Sequence, residues 1–534
     1  MKIWALLVFL FASILSYSQK PDATFDVLNY QFELTLSDSS NLIKGRATIT
    51  VRILKDAPRI EFDLINMDAK EKGMIAHRVF ENNAGINSTH GNDKLVLRPD
   101  RTFKKGETRS FEILYEGVPL DGLIIGQNKY KRRGFFADNW PNRARNWIPV
   151  VDHPADKASV EFIVIAPSHY QVVANGIQIE ETILNEQSKL TRYREETPIS
   201  PKVMVIGVAD FAVQRAGEVE CIPIYSWVYP EDREKGFYDY ALATEILPFF
   251  IKNVGPYGYK KLANVQSKTR FGGLENANTI FYSEASISGK RNSEGTIAHE
   301  IAHQWFGNMA TEAEWAHLWL SEGFATYMTI LYMENKYGLD TAKKMLIEDR
   351  DQIIAFAKQK PRPVVDSSVT NYMDLLNANS YQKGGWVLHM LRSQLGDSVF
   401  WRSIREYYAQ YAGKTATSED LQKVFERVSG KDLKTFFRQW LYIPGQPDLD
   451  INWKYDQTKK LLSVTVNQKQ SALFEFPLEL QILGGTEDGT ITKSIQVREK
   501  QTVFSIPLSA KPQRVRVDPQ IKMLFDGKLS EIHQ

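Results

Sequence analysis

Cysteine is almost absent. Cys221 stands alone among 534 residues, so no disulfide can form within the chain, and neither a cysteine-based zinc finger nor an iron–sulfur cluster can be built. Histidine is scarce too, at nine residues, so any metal must be held by a few imidazoles together with carboxylates. Net charge is missing as well: 66 lysines and arginines offset 64 aspartates and glutamates. With no basic run either, the chain lacks the electrostatic footprint of a nucleic-acid binder. There is no internal repeat or low-complexity tract. Beyond the amino terminus no run is long and apolar enough to span a bilayer. The rest of the composition is ordinary. With 43% hydrophobic and 24% charged residues the chain can build sizeable cores, which excludes wholesale disorder, and its length suits two to four domains.

The amino terminus is the exception to the lack of apolar runs. Lys2 gives a positive start, Ile3 to Leu15 is broken only by Ser13, and Ser16-Tyr17-Ser18 supplies small residues where a signal peptidase reads. These thirteen residues fall short of the ~20 that a spanning helix needs. Residues 1–18 are therefore expected to be a cleaved secretory signal, with Gln19 as the mature terminus. No cysteine at the cleavage point offers a lipid anchor. The expected product is exported, to the periplasm or the extracellular medium, with no stable membrane anchor.

From about Phe25 to Pro223 the texture is β. Tyr30 to Leu36 and Arg46 to Arg52 alternate with period two. Val160 to Ile165 and Val203 to Val208 read as further strands, and clusters such as Gly91-Asn92-Asp93 as the turns between strands. The texture changes near Ser226. Gly295 to Gly307, Trp319 to Gly338 and Asp340 to Lys358 carry apolar residues at helical spacing. Ser418 to Val428 opens on Thr417 and Asp420, a capping-box pattern. Pro444-Gly445-Gln446-Pro447 ends the helical stretch, and Leu462 to Val466 and Leu478 to Ile482 alternate again. The expected plan is multidomain α+β: an antiparallel β domain over 19–225, a mainly helical domain over 226–445 and a small β-sandwich over 446–534.

The chemistry sits in the helical domain. His299-Glu300-Ile301-Ala302-His303 sets two imidazoles four residues apart, on one face of a helix, where both can reach one ion. Neutral imidazole nitrogen is a good zinc ligand, and Glu300 beside that face can take a proton from water at the metal. Such a pattern arises by chance in about one chain of this length in a hundred, so a third ligand matters. Glu322 follows His303 after eighteen residues, at the start of a second helix where Phe324, Met328, Leu331 and Tyr332 recur at helical spacing. Two packed helices can set Glu322 opposite the histidine pair, although an acid in a first turn can also simply serve the helix dipole. His299, His303 and Glu322 would hold one zinc ion and leave a fourth position open, the arrangement of a catalytic site. A tetrahedral oxyanion then needs a second stabiliser beside the metal.

Together with two further motifs, these residues resemble the aminopeptidase N family of zinc metallopeptidases (peptidase family M1, gluzincins), whose relatives include leukotriene hydrolase. The family pattern is His-Glu-x-x-His, eighteen residues, then Glu. The continuation Gln304-Trp305-Phe306-Gly307-Asn308 is also the family's. Gly272-Gly273-Leu274-Glu275-Asn276 is similar to its exopeptidase motif, with Leu274 in place of Met, and Tyr381-Gln382-Lys383-Gly384 is similar to its Tyr-x-Lys-Gly segment. The resemblance implies a saddle-like β domain, a thermolysin-like catalytic domain and a small β-sandwich. The large helical carboxy-terminal domain of many members is not expected here.

By the same resemblance, Glu275 would bind the free amino group of a peptide, Gly272 and Gly273 would let backbone approach it, Tyr381 would donate to the oxyanion, and Lys383 would serve structure. Three further positions depart from the family. Trp140 stands where a second acid or amide usually helps hold the amine, with Asp138 and Asn139 as neighbours that could replace it. His317 and Ser321 stand where Asp and Asn are frequent. The expected function is a secreted zinc aminopeptidase acting on peptides, with Glu300 as general base and Tyr381 as oxyanion stabiliser. Two other readings stay open: an endopeptidase or dipeptide-releasing enzyme with weakened amine anchoring, and a non-catalytic peptide-binding protein of the same fold.

Overall fold

The structure is a computed structural model that describes residues 23–485 and 489–532; the expected signal lies outside them. Alternation builds the first region. In Phe25–Thr35 the buried side chains are Phe25, Val27, Tyr30, Phe32 and Leu34, and the phase resets at a bulge after Val27, which is why clean period two begins at Tyr30. An eight-stranded sheet runs in the order Ile177–Asn185, Ser188–Ile199, Ala158–Pro167, Phe25–Thr35, Ile43–Ile53, Thr108–Val118, Gly73–Glu81 and Ala84–Gly85. The Gly91-Asn92-Asp93 cluster is a hairpin turn, with Asn92 and Asp93 both at positive φ, between Asn87–Gly91 and Lys94–Arg98.

Two details correct the sequence reading. The sheet is not wholly antiparallel, because Phe25–Thr35 runs parallel to Ala158–Pro167. Alternation marks a strand's faces but not its neighbour's direction, and the long intervening chain supplies the crossover that a parallel pair requires. Val203 is not in a strand: Pro201–Val203 forms a 3-10 turn, as the fixed φ of Pro201 favours, and the strand is Ile206–Ala209.

A five-stranded sheet then runs in the order Ala212–Val219, Ile222–Val228, Leu262–Ser267, Thr279–Ser283 and Gly273–Leu274. Its first strand precedes residue 226, so this sheet takes in chain that the change of texture assigns to the β domain. Period two does not say which sheet a strand joins. Gly273–Leu274 forms one edge, antiparallel to Thr279–Ser283. Against its edge strand packs α1 (Glu294–Ala302); α2 (Trp319–Tyr337) packs on α1, and α3 (Leu339–Gln359) packs on α2. From Trp319 to Tyr332 almost every side chain of α2 is buried, which makes it the central helix. The expected capping box at Thr417 and Asp420 is present at Ser418–Ser429. The strands from Asp448–Asp456 to Asp526–Glu531 form a four-stranded and a three-stranded sheet. No described helix is long and apolar enough to cross a membrane.

One buried ion pair ties the first region to the site. Lys202 Nζ donates to Glu312 Oε1 at 2.5 Å, from the 3-10 turn to the short strand Ala310–Glu312 that follows the metal-site turn; both side chains are fully buried. Removing one partner leaves a charge without compensation in the interior. Lys202→Met is expected to cost about 3–5 kcal/mol, read as a lower denaturant midpoint. The double variant Lys202→Met/Glu312→Leu should recover much of that loss.

Candidate active site

Three ligand atoms converge between α1 and α2. His299 and His303 stand one turn apart, and Glu322 reaches across from the first turn of α2. Nε2 of His299 lies 3.0 Å from Nε2 of His303, and Glu322 Oε2 lies 3.3 and 3.2 Å from them. A tetrahedral ion with ligands at ~2.0–2.1 Å holds its ligand atoms ~3.3–3.4 Å apart. The observed triangle is close to one face of that tetrahedron, so the donor set fits one zinc ion. The other ring nitrogen of His303, Nδ1, lies 3.1 Å from the Phe306 carbonyl and 3.1 Å from Ser321 Oγ. Donating there keeps Nε2 available as the ligand atom.

The turn after α1 makes this possible. The helix stops at Ala302, short of the expected Gly307, because the chain folds back: Asn308 N donates to the His303 carbonyl, and Gly307 turns the corner at φ 112°. A Cβ on Gly307 would meet Ser321 Oγ at 2.2 Å.

The edge strand Gly273–Leu274 crosses close to Glu300. A Cβ on Gly273 would lie 2.2 Å from Glu300 Oε1, so only glycine admits the carboxylate. A Cβ on Gly272 would meet open space instead. Glu275 follows, with its main-chain carbonyl held by the side-chain amides of Asn308 and Gln304, at 2.6 and 3.1 Å. Its carboxylate is buried, and Oε1 has no partner among the described residues. Tyr381 sits in a π-helical turn, Asn379–Lys383, with its ring stacked on His299 at 5.9 Å. It arrives there because Gly323, next to Glu322, meets Gly384 backbone to backbone; a Cβ on Gly323 would lie 2.7 Å from Gly384 Cα. Gly272, Gly273, Glu275, Glu300, Tyr381 and the three ligand residues line one cavity of about 420 Å³.

Burial and three carboxylates set the electrostatics. Desolvation raises the Glu300 pKa well above its ordinary value; Glu275 and Glu322 add to the rise, and His303 opposes it. Burial, with Glu322, Glu275 and Glu300 nearby, raises the Tyr381 pKa well above its ordinary value, so its hydroxyl keeps its proton. Burial disfavours charge on His303, but Glu322, together with Glu275 and Glu300, outweighs it and raises that pKa.

Family models settle the kinship. The Peptidase M1 N-terminal domain matches residues 27–201, and the Peptidase family M1 domain matches residues 238–440. The chain belongs to peptidase family M1. Aminopeptidase M1-A of Oryza sativa subsp. japonica is 29% identical over 393 residues, covering 70% of this chain and 44% of that protein. The chain thus spans under half the length of that relative. Leukotriene A-4 hydrolase of Xenopus laevis is 24% identical over 545 residues, 95% of this chain and 85% of that one. The crystal structure of a mutant M1 zinc metallopeptidase from Deinococcus radiodurans superposes with a TM-score of 0.67, at 23% identity, over 80% of this chain and 95% of that chain. That last likeness bears on the fold.

Within this M1 chain, the residues that depart from the pattern have definite places. Trp140 is buried and lines the cavity, edge-to-face with Phe271 at 6.0 Å and with Trp315 at 5.6 Å. Neither neighbour can stand in for a missing amine anchor. Asp138 is engaged by the Arg143 guanidinium and the Arg270 amide. Asn139 spends its side chain on the Pro201 and Met204 carbonyls and the Trp147 indole. His317 is not at the metal site; its Nδ1 lies 2.8 Å from Ser418 Oγ. Lys383 is buried and donates to the Gly445 carbonyl at 2.6 Å. The sequence marks Gln304 and Asn308 only as part of the family's continuation, and Ser321 only as a departure from it, with no role for any of them; in the structure Ser321 Oγ lies against His303 Nδ1, and Gln304 and Asn308 hold the Glu275 carbonyl.

Zinc is expected to bind at one ion per chain. Restored to chelator-treated protein at a hundredfold its Kd, it should add about 2.7 kcal/mol of stability, read as a rise in Tm. Glu322→Gln should remove both the stoichiometric zinc and that rise.

Proposed function

We propose that this chain is an exported zinc aminopeptidase that releases single residues from the free amino terminus of peptides. The observation that carries this reading is the Glu275 carboxylate, buried, with an unpaired oxygen, on the wall of the cavity that holds the metal ligands. A bare buried carboxylate is costly unless a cation or donor completes it, and a peptide's ammonium does so. An ammonium held there brings the first peptide bond, rather than an internal one, to the ligand triangle. The edge strand Gly273–Leu274 offers backbone against which an extended peptide can pair. Trp140 and Phe271 make an aromatic wall that suits an apolar first side chain. The charged, apolar start of the sequence, Lys2 and Ile3 to Leu15, supports removal of residues 1–18 on export.

When bound, zinc lowers the pKa of water towards ~7 and polarises a carbonyl. Glu300 takes the proton of the attacking water and returns it to the departing nitrogen. Its raised pKa suits a group that must hold a proton between those events. Tyr381, still protonated, donates its hydroxyl to the developing oxyanion.

Three measurements test this. Glu300→Gln should keep its zinc and lose about 10²–10⁴-fold in kcat; unchanged hydrolysis would remove the mechanism and favour a binding protein. A free tripeptide should be cleaved and its acetylated counterpart not. Glu275→Gln should lower kcat/KM for the free peptide by about ten- to a hundredfold, the worth of a charge-assisted hydrogen bond. Equal cleavage of the acetylated peptide would make the enzyme an endopeptidase.

A further inference from the structure

The cavity extends to the other side of the ligands from Glu275. Gln304 and Asn308, which hold the Glu275 main chain, follow the last turn of α1, whereas Gly295 and Thr296 belong to its first turn and line the cavity as well. At 1.5 Å per residue, Gly295 and the helix end at Ala302 lie roughly 10 Å apart, with His299 between them and His303 just past the end. The far lobe is walled by Thr326, Thr329 and Ile330, which continue along α2 from Glu322 at helical spacing, and by Met345 and Asp349, one turn apart on α3. Asp349 is half-buried and makes no hydrogen bond or ion pair among the described residues. No lysine or arginine among them lines the cavity, so nothing there neutralises it. Burial pushes its pKa up to about 7, as fits a carboxyl withdrawn from water without a counter-ion.

A peptide with its ammonium at Glu275 and its first peptide bond at the ligand triangle extends its second residue into that lobe. We infer that Asp349 selects this second residue and favours lysine or arginine. The aliphatic stem of such a side chain lies against Ile330 and Met345, and its cation meets the Asp349 carboxylate. A glutamate or aspartate in the same place faces an uncompensated acid of like sign. The inference rests on the aminopeptidase reading above and adds to it a preference set by this chain's own residue.

The test compares kcat/KM for three free tripeptides, Leu-Lys-Ala, Leu-norleucine-Ala and Leu-Glu-Ala, in wild-type enzyme, Asp349→Asn and Asp349→Lys. Norleucine matches the lysine stem without its charge, and its turnover shows that each variant is folded. Wild type should prefer lysine to norleucine by about tenfold or more. The preference should collapse towards one in Asp349→Asn, and Asp349→Lys should turn it towards glutamate. A change confined to the ratio is not what a merely structural role for Asp349 would produce. Cleavage without a lysine preference, or with one that survives in Asp349→Asn, overturns this inference alone. No cleavage of any of the three overturns the aminopeptidase reading with it.

Discussion

The carboxylate of Glu322 is the contact on which the rest of the site depends. It is where α2 meets α1, within 3.2–3.3 Å of two imidazole nitrogens that are themselves 3.0 Å apart. With its proton at Nδ1, His303 presents a lone pair at Nε2, and acceptor atoms this close repel unless a proton or a cation lies among them. The carboxylate supplies the negative charge that draws a cation to that place. That placement in turn requires two backbones to touch. Gly323 and Gly384 bring the segment bearing Tyr381 against α2, and a single methyl group at Gly323 would push it off. Glycines that carry no chemistry thus set the distances over which the chemistry works.

A second constraint is charge density. Glu275, Glu300 and Glu322 share one cavity with no lysine or arginine among the described residues in its walls. Burial raises the proton affinity of Glu300, and the neighbouring Glu275 and Glu322 raise it further. A dication and a substrate ammonium reverse that balance together. The site is therefore built for cationic visitors, and its unpaired oxygens mark where they belong.

The histidine pair was legible because spacing along one helix is a local property, fixed by 3.6 residues per turn; Glu322 lies on a second helix, and spacing alone left it open between a ligand and a first-turn acid. Glu275 and Tyr381 came from resemblance to a family and not from periodicity; nothing in a Gly-Gly-Leu-Glu segment says by itself that its acid will be buried with a free oxygen. The β texture of the first region was legible from alternation, but the sheet joined by Ala212–Val219 and the parallel partner of Phe25–Thr35 were not, since both depend on contacts distant in sequence. Asp349 was illegible for the same reason. On its helix it is one acid among several, and only the packing of α3 places it on the cavity wall.

The parallel pairing bears on how the chain acquires its fold. Asn29 bonds to Ser159, 130 positions further on, and the strand that begins at Phe25 lies inside its sheet, with Ile43–Ile53 on one side and Ala158–Pro167 on the other. A hairpin can supply the first neighbour early. The second exists only once more than a hundred further residues have been made and brought back, at the entropic cost of closing so long a loop. Until then the first strand is an unpaired edge. The region is thus a high-contact-order assembly that closes late and slowly, and its opening strands are the ones left longest open to pairing with the wrong partner.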